Sequence, residues 1–317
     1  MDILGDLGGT HFRLALASTP DQVQRYAISD YAAVEDVFDD FLGRSKLADT
    51  KINTFYLASA VTPRDGIIKD TRFGNSPDGW HIKLADLQQK YAIGDIVVLN
   101  DLEAACYALE VPLEKQAELI CGGTALRNHH KILVGVGTGI GHAFLIKPPA
   151  ELSRPFVHKT HGGHIAAMAP GHQWLEWMDR WREAHMLNRE AIWEDFVSGH
   201  GLKSIYRLFH NLDPSVDITP EKILDDPHVV QSYCEALGQY CHLLVGVTGM
   251  YGGLYLSGGV IDALWSAGRF HTDSFKRGFL RNMLPTVRAD FESVGVFYAG
   301  SSVSAMNGLA VYRKLCT

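Results

Sequence analysis

Short apolar runs alternate with amphipathic segments through the first third of the chain. The pattern predicts strands at 3–4, 12–16, 54–60 and 95–99 and helices at 34–42, 82–91 and 102–111. Strands and helices in this alternation are typical of α/β proteins with a mixed or parallel sheet.

A glycine-rich turn between two apolar strands occurs twice. Residues 3–17 read ILGDLGGTHFRLALA, and residues 131–146 read KILVGVGTGIGHAFLI. Similar hairpins at separate places in one chain indicate two related half-domains that face each other.

The second half of the chain predicts more helix. Helical spacing covers 174–188, 192–196 and 229–250, and residues 253–259 (GLYLSGG) predict a strand that ends in glycines. A last helix is expected at 303–315, with the preceding Ser301 and Ser302 able to cap it.

Size and charge limit the kinds of function. The chain has 317 residues and 46% hydrophobic content, which favours two domains with a cleft between them. The net charge is -7, and lysine and arginine are scattered, so nucleic acid and anionic membranes are not expected as partners. A soluble protein that acts on small molecules fits better.

Cysteine usage and hydropathy bear on the compartment. Five cysteines without C-x-x-C spacing predict neither a disulfide framework nor a thiolate zinc site. We find no leader pattern before the first strand and no apolar run of about 18 residues, so we expect a cytoplasmic, non-membrane protein.

The first hairpin contains two polar residues that a tight turn does not require. Asp6 ends its first strand, and Thr10 follows the Gly8-Gly9 pair. Glycine amides can approach an anion closely, and a carboxylate can hold Mg²⁺ or its water shell, so a phosphate-and-metal site is one interpretation. An ordinary tight turn is the alternative.

Four motifs in order resemble those of the bacterial-type glucokinase family, in the actin, Hsp70 and sugar-kinase superfamily. They are GDLGGT at 5–10, VVLND at 97–101, VGVGTGIG at 134–141 and YLSGGV at 255–260. The resemblance covers the whole chain. It implies an α/β, two-domain, actin-like ATPase (ribonuclease H-like) fold with an interdomain cleft. The small domain would be 1–111 with the returning helix 302–317, and the large domain 112–301.

The same resemblance implies an ATP-dependent sugar phosphotransferase that converts ATP and D-glucose to ADP and glucose 6-phosphate, the entry to glycolysis. ATP and Mg²⁺ would be its cofactors, a hexose its substrate, and a homodimer its assembly. Phosphoryl transfer needs a carboxylate to take the proton of the attacking hydroxyl, and Asp101 is the candidate. Its alternative role is a helix N-cap, for which Asn100 is equally suited.

The other implied roles follow the motifs. Asp6 would act on the metal through water. The phosphates would be held by Gly8, Gly9, Thr10, Gly137, Thr138 and Gly139, and the adenosine by Gly258 and Gly259. The sugar would be bound by Asn75, Asn100, Asp101, His161, His164 and Glu194. Asn75 could equally lie in a surface turn, and Glu194 could be a solvated helix residue.

The sequence departs from the family motif at His161, where the family has glutamate in E-G-G-H. A carboxylate accepts two or more hydroxyl hydrogen bonds, whereas a neutral imidazole offers one donor and one acceptor. Two alternatives therefore stay open: a kinase of another hexose or an amino sugar, and a catalytically weakened sugar- or nucleotide-binding regulatory protein. Smaller departures are His11, His200 and a second connection whose glycine is Gly300 or Gly308.

Two further patterns allow other functions. His158, His161 and His164, with His172 nearby, could bind a transition metal, although Gly162-Gly163 argues against the helix that this spacing needs. Tryptophans at 174, 177 and 181 have helical spacing and predict a core or an interface, with a sugar-stacking platform as the alternative.

Overall fold

The structure is a computed structural model of the chain. It describes every residue except 46, 48, 49, 72, 75–77, 114, 115, 127, 150–153, 170, 171, 185–188, 282 and 317, and the side chains of 172 and 173. The chain divides into two compact units. Unit 1 is Met1–Val111 with Val303–Thr317, and unit 2 is Pro112–Ser302.

The described strands and helices alternate along both units. The strands are β1 Asp2–Leu7, β2 His11–Leu16, β3 Gln24–Ala27, β4 Thr54–Ser59, β5 Ile67–Asp70, β6 Trp80–Lys83, β7 Asp95–Asn100, β8 Glu118–Cys121, β9 Lys131–Val136, β10 Ile140–Ile146, β11 Phe156–Thr160, β12 Leu254–Ser257 and β13 Val296–Tyr298. The helices are α1 Val34–Arg44, α2 Leu84–Lys90, α3 Asp101–Tyr107, α4 His172–Ala184, α5 Glu194–Val197, α6 Gly199–Phe209, α7 Pro220–Leu224, α8 Pro227–Thr248, α9 Gly259–Ser266, α10 Thr272–Phe279, α11 Pro285–Ser293 and α12 Ala305–Cys316.

The main sheets of the two units have the same topology. Unit 1 has the strand order β3-β2-β1-β4-β7, and unit 2 has β11-β10-β9-β12-β13-β8. In each, a three-stranded antiparallel meander continues into parallel strands, β4 and β7 in unit 1 and β12 and β13 in unit 2. The repeated glycine hairpin is therefore part of a repeated sheet topology, with β8 as an extra edge strand in unit 2.

Each unit buries its own core. In unit 1 the core contains the aromatic side chains of Phe12 on β2, Phe38 on α1 and Phe55 on β4. The ring of Phe38 contacts the other two rings. In unit 2, α8 lies in the middle of the largest cluster, and Tyr233 and Tyr240 are fully buried on it. Apolar burial of this extent is the main stabilising contribution to either unit.

Most elements agree with the pattern in the sequence, and one helix start is wrong. The expected helix at 82–91 begins only at Leu84, because residues 80–83 form strand β6. Trp80 and Ile82 are buried while His81 and Lys83 are exposed, which is the two-residue period of a strand. The expected helix at 102–111 also ends as an α-helix at Tyr107 and continues as a 3₁₀ turn.

The cap of the last helix is also not the predicted one. Ser301 and Ser302 lie in a 3₁₀ turn, and the Oγ of Ser304 accepts a hydrogen bond from the amide of Asn307 at 3.2 Å. The chain makes this extra turn before α12 begins at Ala305, so the capping hydroxyl comes from a later serine.

The tryptophan stripe belongs to the core of unit 2. Trp174, Trp177 and Trp181 are 7%, 3% and 4% exposed and pack against Phe196 and Phe209. The alternative of a sugar-stacking platform is therefore wrong. Residues 185–188 of the expected helix lie outside the described residues. Among the helices that the structure describes, none has the length and apolar character needed to span a bilayer.

Candidate active site

The carboxylates of unit 1 lie at one edge of its sheet. Strands β1, β4 and β7 are parallel, and Asp6 is in register with Ala58, which is in register with Leu99. Asp101 follows β7 directly, so both aspartates lie at the carboxyl ends of parallel strands, the usual place for ligands in such sheets. Burial raises the pKa of Asp6, Arg13 lowers it, and the charge of Asp101 adds a smaller upward contribution.

The first turn of α3 settles which residue caps it. The Asn100 Oδ1 accepts from the Glu103 amide at 3.4 Å, and the Glu103 carboxylate accepts from the Asn100 amide at 3.3 Å. This capping box makes Asn100 the N-cap. Asp101 is the first helical residue, with Oδ1 on the Leu102 amide at 2.8 Å. The helix start therefore does not depend on the Asp101 carboxylate as its N-cap.

Asp6 has a partner that the sequence analysis did not identify. The Arg13 Nη1 donates to the Asp6 Oδ2 at 2.7 Å, across the β1–β2 pair in which these two residues are in register. The arginine therefore holds one of the two carboxylate oxygens of Asp6. An arginine on the second strand of a glycine hairpin, at hairpin register with a carboxylate, is the signal that could have revealed this pair.

The tip of the first hairpin has open backbone. The Gly8 amide donates to the His11 carbonyl at 3.1 Å, whereas the amides of Gly9 and Thr10 have no acceptor among the described residues. A Cβ on Gly9 would meet nothing within 4 Å. Two adjacent unpaired amides on an exposed tip can accept an anion such as a phosphate.

The second hairpin repeats this arrangement in unit 2. The Gly137 amide donates to the Gly139 carbonyl at 2.9 Å, and within the described ranges the amides of Thr138 and Gly139 have no acceptor. A Cβ on Gly137 would also point into open space. The two glycine hairpins thus have the same kind of exposed tip.

The strand after α8 ends beside this second hairpin. Gly258 has φ +102°, and a Cβ there would lie 2.5 Å from the Val136 carbonyl oxygen at the end of β9. Only glycine fits this close approach with this backbone conformation. Gly259, which begins α9, faces open space. The predicted adenosine loop and the second phosphate loop are therefore neighbours within unit 2.

Three predicted sugar residues of unit 2 lie together. The Glu194 Oε2 accepts from the Ile140 amide at 3.0 Å, and its Oε1 lies 3.9 Å from the His164 Nε2. The rings of His161 and His164 are 6.0 Å apart, and both side chains are exposed. Glu194 also adjoins the second hairpin, because a Cβ on Gly139 would lie 2.6 Å from its Oε2. Glu194 is therefore not simply a solvated helix residue.

Asn75 lies outside the described residues, so the structure says nothing of its place. The histidine-rich metal alternative has no support, because no group of three or more possible metal ligands occurs in the part of the chain that the structure describes. His158 is on strand β11, whereas His161 precedes the following 3₁₀ turn and His164 is the last residue of that turn.

A buried histidine next to this group was also missed. His142 on β10 is 3% exposed and is hydrogen-bonded through both ring nitrogens, to Tyr240 and to Thr160. Burial lowers its pKa to about 4. In the sequence it is one polar residue in an apolar strand, a signal that does not by itself separate a surface position from a core position.

Comparison with known proteins assigns the arrangement to a family. The glucokinase family model matches residues 3–314. The chain belongs to the glucokinase family. It is 30% identical to a glucokinase-like protein of Xylella fastidiosa strain Temecula1 over 286 residues, covering 83% of this chain and 80% of that protein.

Solved structures show the same fold. The glucokinase of an Antarctic psychrotroph superposes with a TM-score of 0.78 at 20% identity, covering 99% of this chain and 98% of that one. A Balamuthia mandrillaris glucokinase crystallised with glucose has a TM-score of 0.71 at 20% identity, covering 98% and 92%. The predicted family and α/β sugar-kinase fold are confirmed, and the chain is an ATP-dependent sugar phosphotransferase of the glucokinase type.

Proposed function

We propose that this glucokinase-family chain transfers the γ-phosphoryl group of MgATP to the 6-hydroxyl of D-glucose. The observation that carries the proposal is the group of His161, His164 and Glu194 beside the second glycine hairpin. A hexose presents hydroxyl groups that need paired donors and acceptors, and a carboxylate with two imidazoles provides both. An exposed phosphate-binding tip next to them suits a sugar kinase.

The residues of unit 1 have complementary roles. Asp101 takes the proton of the attacking hydroxyl, and the Asn100 side-chain amide group donates to the sugar while its Oδ1 caps the helix. A loose transition state needs only late proton transfer, so a carboxylate is a sufficient acceptor for the proton.

The residues also fit Mg²⁺. Carboxylate oxygen is a preferred ligand of this ion, and the Asp6 oxygen that Arg13 does not hold is suited to a water in its shell. The metal would supply charge neutralisation on the phosphates. The amides of Gly9, Thr10, Thr138 and Gly139 orient the phosphate oxygens and supply further donors.

His161 keeps a second substrate class in consideration. Its imidazole provides one donor and one acceptor at neutral charge, whereas the family glutamate accepts two bonds. Another hexose or an amino sugar, with hydroxyl or nitrogen substituents placed differently, is therefore the second candidate. The homodimer, the cytoplasmic location and the roles of the two domains stay predictions.

Purified protein should release ADP from ATP in the presence of glucose, in a panel that also contains mannose, fructose, glucosamine and N-acetyl hexosamines. We expect Asp101→Asn to lower kcat about 10²- to 10⁴-fold with little change in the glucose KM, because it removes only the base. Asp95→Asn, at the other end of β7 and exposed, is the matched control and should keep wild-type kcat.

The outcomes separate the alternatives. If the wild type does not turn over glucose but phosphorylates another sugar, that sugar replaces glucose as the proposed substrate. If the wild type releases no ADP with any sugar and only His161→Glu is active, the result would favour a regulatory protein that has lost catalysis. An Asp101→Asn variant with wild-type kcat would exclude Asp101 as the base.

A further inference from the structure

His142 lies between two elements that carry sugar-side residues. Its Nδ1 is 2.7 Å from the Tyr240 hydroxyl, and its Nε2 is 2.5 Å from the Thr160 Oγ1. The side chain points from β10 into the core of unit 2, where its ring lies 5.0 Å from that of Phe144. Both ring nitrogens are therefore satisfied inside an apolar environment.

One side of the imidazole supports the turn that carries the two predicted sugar histidines. Thr160 is in register with His142, and its Oγ1 also accepts from the Gly162 amide at 3.3 Å. Gly162 lies directly on the ring, since a Cβ there would be 1.9 Å from the imidazole Cε1. His161 and His164 flank Gly162-Gly163 in the sequence, so the backbone between the two histidines packs against the His142 ring.

The other side of the His142 ring connects to Glu194 through Tyr240 and Trp193. The ring of Tyr240, on α8, lies 5.5 Å from the ring of Trp193. Trp193 is 1% exposed and immediately precedes Glu194, the first residue of α5. Burial chiefly raises the pKa of Tyr240, and the charges of Cys241 and then Glu194 add smaller upward contributions.

We propose that His142 is a positioning residue for hexose binding, holding the His161–His164 turn through Thr160 and the Glu194 segment through Tyr240 in one fixed arrangement. This inference rests on the proposed function. His142 has no contact with the reacting atoms in this role, and it acts through the residues that it supports.

The hydrogen bonding of the network is complete with a neutral ring. A neutral imidazole has one donor and one acceptor, and each hydroxyl partner can take either role. Removing the Thr160 hydroxyl would leave a buried ring nitrogen and the Gly162 amide without their partner, which is costly in an apolar interior. The turn would relax to recover hydrogen bonds, and its two histidines would leave the position set by Glu194.

A matched set of variants tests the Thr160 side. Thr160→Val keeps the shape and removes the hydroxyl, whereas Thr160→Ser keeps the hydroxyl. We expect Thr160→Val to raise the hexose KM about 10-fold, with kcat and the ATP KM within about twofold of wild type, and Thr160→Ser to restore the hexose KM. Thr248→Val is the control, because that hydroxyl donates to the Leu244 carbonyl and accepts from the Met250 amide at the end of α8, so its removal also leaves an amide without its acceptor. It should leave all three parameters unchanged.

Two further measurements keep the test decisive. Tyr240→Phe should also raise the hexose KM, which covers the case in which Thr160→Val does not fold. Hydrogen exchange at the Gly162 amide should be faster in Thr160→Val than in wild type or Thr160→Ser, because the amide has lost its acceptor.

The results distinguish failure of the positioning role from failure of the proposed function. An active wild type in which a folded Thr160→Val and Tyr240→Phe both keep the wild-type hexose KM would overturn the positioning role and leave the proposed function intact. A rise in the ATP KM or a fall in kcat of the same size as the hexose effect would also overturn it, as general damage. A wild type that neither binds nor phosphorylates any hexose would overturn the proposed function and this inference with it.

Discussion

At the residue scale, His161 is the departure from the family motif with the largest chemical consequence for the proposed sugar site. Its exposed ring lies 6.0 Å from that of His164, whose Nε2 lies 3.9 Å from Glu194. The group therefore keeps one carboxylate and gains an imidazole that can donate as well as accept. A sugar hydroxyl that meets His161 can be an acceptor there, which a glutamate does not permit.

The buried His142 predicts a specific acid sensitivity. Its pKa is about 4 in the folded protein, against about 6.5 in an unfolded chain. The unfolded state alone takes up the proton between these values, so stability is fully present above pH 6.5 and is lost as the pH falls towards 4. The loss from this residue should be roughly 2 kcal/mol at pH 5 and roughly 3 kcal/mol at pH 4.

Urea unfolding at pH 7.5 and pH 5 measures this effect. The decrease in unfolding free energy between the two pH values should be about 2 kcal/mol smaller in His142→Asn than in wild type. His81→Asn, an exposed histidine on β6, should show the wild-type decrease. An identical pH dependence in wild type and His142→Asn would contradict the low pKa of the buried ring.

At the element scale, caps and glycines determine where the functional side chains lie. The capping box of Asn100 and Glu103 begins α3 and leaves Asp101 at its first turn, next to the carboxyl end of β7. Asp101 thus follows β7, begins α3 and places its carboxylate at the carboxyl end of the sheet.

Gly308 allows α12 to pack closely on α3. A Cβ at Gly308 would lie 1.6 Å from the Ala104 carbonyl oxygen, so the helices must separate in Gly308→Ala. We expect this change to lower the unfolding free energy by about 2 kcal/mol or more, the usual cost of overpacking. Urea unfolding monitored by far-UV circular dichroism measures it.

Gly43→Ala is the matched control for that prediction. Gly43 lies in α1 of the same unit, and a Cβ there meets nothing within 4 Å. This change should raise the unfolding free energy by about 0.5–1 kcal/mol through helix propensity. If Gly308→Ala stabilised the protein as Gly43→Ala does, the close helix contact would be refuted.

At the scale of the whole molecule, both units place their motif residues at the carboxyl ends of parallel strands. In unit 1, Asp6 is the second-last residue of β1 and Asp101 follows β7; in unit 2, Gly137 and Gly258 follow β9 and β12. Because the two sheets share one topology, the repeated hairpin occupies the same place in each. The family fold explains why motifs far apart in the chain have equivalent structural settings.

Ligand binding should be visible as a gain in global stability. Glucose at about 100 times its Kd should add about 2.7 kcal/mol to the unfolding free energy without nucleotide, since it binds only the folded state. Thermal unfolding with D-glucose, compared with L-glucose at the same concentration, separates binding from general osmolyte effects.

The carboxylate of unit 2 provides the specificity check. Glu194→Gln should lose most of the D-glucose shift, because a neutral amide replaces the charged acceptor. Glu190→Gln, an exposed residue before α5, should keep it. Equal thermal-unfolding shifts with D- and L-glucose in wild type would argue against a specific hexose-binding site.

Much of the fold could be predicted from particular residues. The apolar runs at 54–60 and 95–99 became β4 and β7, and the 34–42 periodicity became α1. The helix start at Leu84 and the cap at Ser304 could not, because strand pairing and an added turn override local preference there. For the candidate site, the motifs supplied Asp6, Asp101 and Glu194. The Asp6–Arg13 pair could have been found from the register of the first hairpin, whereas nothing local to His142 marks Thr160 and Tyr240 as its partners.

The sequence by itself determined the two glycine hairpins, the family and the strands that carry the motifs. These depend on periodicity, turn chemistry and motif spacing, which are local properties. Only the tertiary structure decided that Arg13 pairs with Asp6, that the tryptophan stripe is core, and that His142 joins Thr160 to Tyr240. Such contacts bring together residues as far apart as 142 and 240, and burial alone then decides whether a polar side chain must find a partner.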